Sequence, residues 1–416
     1  MSNVSVLGLG YIGLPTAAIL AVRGHQVHGV DVSEHVVQTL SDGAIHIVEP
    51  GLDIVVSGAI KSGALTVSLD VAPADVFILA VPTPFLEDHK PDLSFVRSAA
   101  ESIAPHIAKG NLVILESTSP VGATKQLSQW LGDLRPDLKF PHEFAEHCDV
   151  NVAHCPERVL PGKVLEELVE NDRVVGGISE SCTQAAISLY KTFVDGKCLA
   201  TTAATAEMAK LTENAFRDVN IAFANELSIL AEEQSVDVWE LIELANHHPR
   251  VNVLQPGPGV GGHCIAVDPW FLVSGSPENA RLIRQARHVN DQKPDYVIAK
   301  VEAALSSAPR PVVACLGLSF KANIDDLRES PAVDICMRLA KLSGVSVKAV
   351  EPHIEQLPAT LSDHGNIELC DVAQAVAEAD VVLLLVDHNQ FADVPTSFDL
   401  SAKHIIDTRG LWRQRR

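Results

Sequence analysis

Two stretches of strand and helix alternation, one opening at Val4 and one at Pro311, flank a segment with the pattern of long helices. That arrangement predicts an α/β chain, with two doubly wound sheets joined by a central helical domain that carries a long spine helix. Three domains follow, residues 1–200, 201–305 and 306–416. A length of 416 residues with 47% hydrophobic content is ample for several cores.

The first strand is Val4-Ser5-Val6-Leu7, and Gly8-Leu9-Gly10-Tyr11-Ile12-Gly13 then leads into an apolar helix ending at Arg23-Gly24. The second strand, Gln26 to Val30, delivers Asp31, 23 positions after Gly8. A G-x-G-x-x-G turn between strand and helix, with an acid at this spacing, is a dinucleotide fingerprint, so the first sheet is Rossmann-like. The glycines let backbone approach a pyrophosphate resting on the helix N-terminus, and Asp31 accepts from the ribose hydroxyls. Val32 and Ser33 follow Asp31, with no arginine to neutralise a 2′-phosphate, so the cofactor predicted is NAD rather than NADP.

Short apolar runs at Val76 to Val81, Leu112 to Leu115, Val150 to Ala153 and Val174-Val175 read as further buried parallel strands. Several end in polar turns: Pro82-Thr83-Pro84, Glu116-Ser117-Thr118, and Cys155-Pro156-Glu157-Arg158. Ligands of an open parallel sheet bind at strand carboxyl ends, so these turns should line the nicotinamide end. From Thr205 to about Glu233 one long helix is predicted, and another from about Glu278 to Ala304. The second sheet uses Val312 to Leu316, Val345 to Val350, Val381 to Val386 and His404 to Asp407, without the full glycine fingerprint.

Two constellations carry chemistry. Pro256-Gly257-Pro258-Gly259-Val260-Gly261-Gly262-His263-Cys264 cannot form helix or strand and presents a thiol in a tight loop, with Asp268 four residues on. A thiol crowded only by backbone suits a nucleophile for a carbonyl carbon, although such a loop can equally bury an inert cysteine. On the long helix, Lys210, Asn214 and Arg217 fall within roughly 60° of arc, placing an amine, an amide and a guanidinium on one face among apolar neighbours. A solvated face is the bland alternative.

Other classes are excluded by composition. The net charge of −21 argues against nucleic acid and anionic membrane as partners. The uncharged segment Val4 to Val22 lacks a basic flank and is interrupted by glycines and a proline, so neither anchor nor signal peptide is expected. Eight cysteines without C-x-x-C pairs read as reduced thiols of a cytoplasmic protein. His154-Cys155, His247-His248 and His263-Cys264 lack a matching second half of ligands, so no metal is expected.

Together, Gly8 to Gly13, Glu116-Ser117-Thr118, Cys155-Pro156-Glu157-Arg158, Lys210-Leu211-Thr212-Glu213-Asn214 and Gly261-Gly262-His263-Cys264 make the chain resemble the nucleotide-sugar 6-dehydrogenases, the UDP-glucose/GDP-mannose dehydrogenase family, over essentially its whole length. The resemblance implies oxidation of a sugar C6 hydroxyl to a carboxylate at the expense of NAD, with Cys264 as nucleophile. It implies that Lys210 donates a proton or stabilises the oxyanion, assisted by Asn214, and that Asp268 and Glu157 are candidates to activate water through Thr118. Gly8, Gly10, Tyr11, Ile12, Gly13, Asp31, Thr83, Thr118 and Arg328 would bind NAD. Arg158, Val159, Lys210, Asn214, Arg217, His248, Arg250, Gly261, Phe320 and Lys321 would hold a UDP-sugar, in a homodimer. Pro156 to Gly162, His248 to Asn252 and Ile265 to Trp270 are similar to the branch acting on UDP-N-acetyl-D-mannosamine. The Pro-Lys-Asp common in the UDP-glucose branch is replaced by Ala266-Val267-Asp268. UDP-N-acetylglucosamine, then UDP-glucose or GDP-mannose, are the alternative substrates. A silent sugar-nucleotide binder or a thiol redox sensor would leave Lys210, Asn214 and Asp268 unexplained.

Overall fold

A computed structural model describes residues 1–160, 162–262, 264–305 and 310–413. Pro161 and His263, each inside one of the motifs above, lie outside the described residues. The chain divides into two compact units, Met1–Glu213 with Trp270–Gly275, and Asn214–Pro269 with Ser276–Arg416.

The first unit holds an eight-stranded sheet in the order β3-β2-β1-β4-β5-β6-β7-β8. Its strands are β1 (Asn3–Leu7), β2 (Gln26–Val30), β3 (Leu65–Ser68), β4 (Val76–Leu79), β5 (Leu112–Leu115), β6 (Asn151–His154), β7 (Arg173–Gly177) and β8 (Cys198–Thr202). The run Val76-Phe77-Ile78-Leu79 is buried throughout because successive side chains enter different cores. Val76 and Ile78 join Val4, Val6 and Ile114 in one, and Phe77 and Leu79 join Val113, Leu115 and Val152 in the other.

One expectation fails. Val174-Val175 was expected in a parallel strand, but β7 runs antiparallel to β6, pairing Ala153 with Gly177. The helix Val164–Glu170 between them has seven residues, about 10 Å, too short to carry the chain back along the sheet. Glu49 anchors that helix at its amino end, accepting from the Gly162 and Val164 N–H groups at 2.8 and 2.7 Å. The helix Glu180–Tyr190 then makes a true crossover, and β8 is parallel to β7.

In the second unit the sheet order is β11-β10-β9-β12-β13, all parallel. These are β9 (Val312–Leu316), β10 (Ser346–Val350), β11 (Ile367–Leu369), β12 (Val381–Leu384) and β13 (His404–Asp407). The helix Arg281–Leu305 presents Val297, Ile298, Val301 and Leu305 to the core that contains Val313, Cys315 and Leu383.

The long helix runs Ala203–Glu233, 31 residues without glycine or proline and about 46 Å long. It passes from the first unit into the second between Glu213 and Asn214.

Candidate active site

In the first unit, the turn after β1 fits a pyrophosphate. Gly8 has φ +87°, and a Cβ there would lie 2.5 Å from the Ala80 carbonyl oxygen. A Cβ on Gly13 would sit 1.8 Å from the Gly8 oxygen, so the first helical turn closes onto the strand only with glycine. Gly10 is exposed and a Cβ on it would meet nothing within 4 Å, which leaves room for a ligand. No side chain among the described residues caps the helix Gly13–Val22 at its N-terminus, as an anion site requires. Tyr11 and Ile12 are half-buried on the same turn. Asp31 accepts from Leu9 N–H at 2.9 Å and from Ser33 N–H at 2.9 Å, which fixes its half-buried carboxylate beside the turn.

Thr83 and Thr118 lie past the carboxyl ends of neighbouring strands β4 and β5, and the Thr83 hydroxyl donates to the Thr118 carbonyl at 2.5 Å. Past β6, buried Glu157 faces Lys210 with 3.8 Å between Oε2 and Nζ. Its other oxygen accepts from Val159 N–H. Arg158 pairs with Glu213 at 2.8 Å and donates to the Asp172 carbonyl at 3.0 Å.

The sequence pointed to the turn that Glu116 opens but not to the buried polar group that forms around it. Glu116 is fully buried, accepts from Thr16 and Tyr190 at 3.3 and 3.4 Å, and stands 3.9 Å from the Arg173 guanidinium. Burial pushes its carboxyl up to about 7, against the pull of Arg173, and Glu157 adds repulsion. His154 is pushed down to about 3, first by burial, with the Lys210 charge adding to it. The signal available was a charged residue in the first position after a wholly apolar strand, Leu112-Val113-Ile114-Leu115-Glu116.

Lys210 and Asn214 are one turn apart on the long helix and both are 7% exposed. Arg217, expected on the same face, is exposed instead. Arg217 lies two turns, about 10 Å, along the axis from Lys210, and its long side chain reaches water there.

In the second unit, Asn214 donates to the Asp268 carboxylate at 2.5 Å, and Asp268 is 3% exposed. The Asp268 N–H donates to the Cys264 carbonyl at 2.8 Å, so the turn Cys264–Asp268 ties thiol, carboxylate and amide together. Cys264 itself is half-buried. The glycine loop leading to it is anchored by side chains on the long helix. Gly257 N–H donates to Asn225 at 2.9 Å, Asn225 donates to Asn290 at 2.9 Å, and Asn290 and Arg287 donate to buried Asp218 at 2.8 and 2.5 Å. The spacing of Asp218 and Asn225, seven apart within an amphipathic helix, was the clue to this support.

Phe320 packs on the same loop. A Cβ on Gly261 would lie 2.9 Å from Phe320 Cβ and 2.5 Å from the Glu329 oxygen, and one on Gly262 would lie 3.1 Å from the Phe320 ring. Lys321 is half-buried beside it. Arg328 is exposed and pairs with Asp326 at 2.6 Å. His248 and Arg250 are exposed, with Arg250 N–H donating to His248 Nδ1 at 3.3 Å. No helix among the described residues is long and apolar enough to cross a membrane.

Residues 2–194 match the NAD binding domain of the UDP-glucose/GDP-mannose dehydrogenase family, 204–292 its central domain and 314–414 its UDP binding domain. The chain is 59% identical over 414 residues to a Ralstonia nicotianae protein named NDP-N-acetyl-D-galactosaminuronic acid dehydrogenase, covering 100% of this chain and 97% of that one. It is 56% identical over 419 residues to the UDP-N-acetyl-D-mannosamine dehydrogenase of Yersinia pestis, covering 99% of each. Among solved structures, the UDP-D-ManNAc dehydrogenase of Pyrococcus horikoshii superposes with a TM-score of 0.89 at 38% identity, over 99% of this chain and 96% of that one. The chain belongs to the UDP-glucose/GDP-mannose dehydrogenase family and is an NAD-dependent dehydrogenase of UDP-sugars.

Proposed function

We propose that this enzyme oxidises the C6 hydroxyl of UDP-N-acetyl-D-mannosamine to the uronate, and that Cys264 holds the sugar covalently between two oxidations. The observation that carries the chemistry is the Cys264–Asp268–Asn214 constellation, in which a thiol, a buried carboxylate and an amide are held in one turn against one helix. Bound NAD supplies a hydride acceptor at each oxidation. The alcohol loses a hydride and a proton to become an aldehyde. The Cys264 sulfur then adds to the aldehyde carbon, its proton ending on the oxygen as a thiohemiacetal. Loss of a second hydride and the hydroxyl proton leaves a thioester. Water adds, the C–S bond breaks, and the thiol is regenerated with the carboxylate.

Asn214 offers a neutral hydrogen bond and Lys210 a charged one to the oxygen at C6. Asp268 and Glu157 are the carboxylates suited to activate water, aided by Thr118. We assign Gly8, Gly10, Tyr11, Ile12, Gly13, Asp31, Thr83 and Thr118 to NAD. Arg158, Val159, Gly261, Phe320 and Lys321 are assigned to the nucleotide sugar. Arg217, His248 and Arg250, exposed on this chain, and Arg328, paired with Asp326, are the weaker members of the two sets. Functionally the chain reads as three segments, 1–200 for NAD, 201–305 for catalysis and dimerisation, and 306–416 for UDP.

A homodimer is supported by Met208, Phe216, Phe223 and Leu230, each at least 47% exposed and within roughly 80° of arc on the long helix. Eight cysteines without a disulfide support a cytoplasmic setting.

The relative at 59% identity favours a second reading, a galacto-configured N-acetylhexosamine. NADH production from UDP-N-acetylmannosamine, UDP-N-acetylgalactosamine, UDP-N-acetylglucosamine and UDP-glucose separates them. Turnover of UDP-N-acetylmannosamine at least about tenfold above the others supports the first reading. Preference for the galacto sugar supports the second, and equal use of UDP-glucose contradicts both.

A further inference from the structure

The turn after β9 repeats the turn after β1 almost bond for bond. Gly8 N–H donates to the Val30 carbonyl and Gly317 N–H to the Val350 carbonyl, both at 2.8 Å, with φ of +87° and +92° at the two glycines. Leu9 N–H donates to Asp31 at 2.9 Å, and Leu318 N–H to Glu351 at 2.7 Å. Ser33 N–H closes on Asp31 at 2.9 Å, and His353 N–H on Glu351 at 3.1 Å. Each acid ends the strand paired beside the glycine turn.

The two acids then diverge. Asp31 is half-buried, as a group facing a ribose must be. Glu351 is one methylene longer and 4% exposed, and its Oε2 also accepts from Ser319 N–H at 3.1 Å. The protein's own carboxylate thus fills the backbone donors that open the second turn. Buried His388 completes the arrangement. Its Nδ1 accepts from Asn323 N–H at 2.9 Å, and a backbone N–H can only donate, so the neutral ring carries its proton on Nε2. That proton points at Glu351 Oε2, 3.0 Å away, with Ser319 Oγ at 3.3 Å. Burial pushes the Glu351 carboxyl up, but the His388 and backbone donors outweigh it and hold it below the ordinary range.

Glu351, His353 and His388 are also close enough together to suggest a cation site. The fixed tautomer argues otherwise, because a cation on His388 Nε2 would require an imidazole stripped of its last proton.

What the pair holds is the segment 318–323. Glu351 takes Leu318 and Ser319, and His388 takes Asn323. Ser319 Oγ donates onward to the Lys321 carbonyl at 2.7 Å, and Asn323 accepts from Asn389 N–H at 3.0 Å while sitting at φ +63°. Phe320, pinned in the middle, forms the wall against Gly261 and Gly262, two residues before Cys264. We propose that Glu351 and His388 are positioning residues that shape the loop carrying Phe320 and Lys321 for the UDP end of the substrate, in the place where the first sheet holds a dinucleotide. The proposal rests on the reading of Phe320 and Lys321 as nucleotide-sugar contacts.

The test is calorimetric titration of the full-length enzyme with UDP and, separately, with NAD. Glu351→Gln and His388→Ala should each weaken UDP by about tenfold or more, while NAD affinity stays within about twofold. A general loss of structure would move both ligands. The milder Asn323→Ala, which keeps the backbone donor to His388 but loses the carboxamide and suits a positive φ less well, should weaken UDP by a smaller factor with NAD again unchanged. Lys321→Ala separates the two ideas. If it leaves UDP affinity unchanged, the reading of the loop fails. If it weakens UDP while neither Glu351→Gln nor His388→Ala does, the positioning role is overturned, as it is if those variants weaken NAD equally.

Discussion

In the proposed assignment, Asp31 selects the cofactor by repulsion as much as by attraction. Its two oxygens already accept from Leu9 and Ser33, so it is fixed where a ribose hydroxyl can donate to it and where a 2′-phosphate would meet a second anion. NAD should be strongly preferred, and Asp31→Ala should raise the KM for NAD by roughly tenfold while narrowing the gap to NADP. Equal kcat/KM for both cofactors in the unmutated enzyme would remove Asp31 from this role. Deeper in the same unit, Glu116 and His154 make opposite demands on pH. Folded Glu116, near 7, keeps a proton that the unfolded chain loses from about 4.5, so its contribution to stability falls as pH rises from about 4.5 to 7. Folded His154, near 3, stays neutral while the unfolded chain gains a proton below about 6.5, so its contribution falls as pH drops from 6.5 towards 3. His154→Gln should therefore flatten the acid limb of the unfolding free energy against pH by up to a few kcal/mol, most clearly below about 4.5, where the Glu116 contribution is complete and no longer varies. An unchanged acid limb would mean that His154 is not held neutral by the fold. Asp31 and Cys264 stood out in sequence because each sits at a fixed distance from glycines. Glu116 and His154 were visible only as members of short motifs, because their significance comes from burial.

At the level of elements, the glycine turn separates folding from binding. Gly13→Ala forces a Cβ within 1.8 Å of the Gly8 oxygen and should lower Tm and abolish NAD binding together. Gly10→Ala meets nothing within 4 Å, so it should leave Tm within about 2 °C while weakening NAD, because its methyl enters the space of the pyrophosphate. Equal effects of the two on Tm, measured by differential scanning fluorimetry, would contradict this division. The central strands of both sheets were legible as unbroken apolar runs. The edge strand β13, His404–Asp407, was legible too, but the edges of the first sheet were not: β3 alternates Leu65-Thr66-Val67-Ser68 over four residues, and β8, Cys198–Thr202, buries little of its length. The direction of β7 depended on a seven-residue helix and on Glu49 more than a hundred residues away, neither of which local pattern encodes. The long helix, free of breakers, was legible within two residues at its start, Ala203 against the expected Thr205. Its face was only partly so, since Lys210 and Asn214 are buried while Arg217 is not.

For the whole molecule, the exposed stripe of Met208, Phe216, Phe223 and Leu230 should be covered by a second copy. Replacing Phe216 and Phe223 together by glutamate should convert a dimer to a monomer in light scattering coupled to gel filtration, whereas an unmutated protein already monomeric at micromolar concentration would contradict a dimer seam on this helix. The family follows from motifs spread from Gly8 to Cys264, but the configuration of the sugar does not, because it depends on contacts to single hydroxyls that no motif spells out. The central claim, oxidation through four electrons with Cys264 as the covalent link, is tested most directly by counting NADH. With limiting UDP-N-acetyl-D-mannosamine and excess NAD run to completion, two NADH should form per sugar, with the uronate as sole product. One NADH per sugar, with aldehyde released, would contradict it.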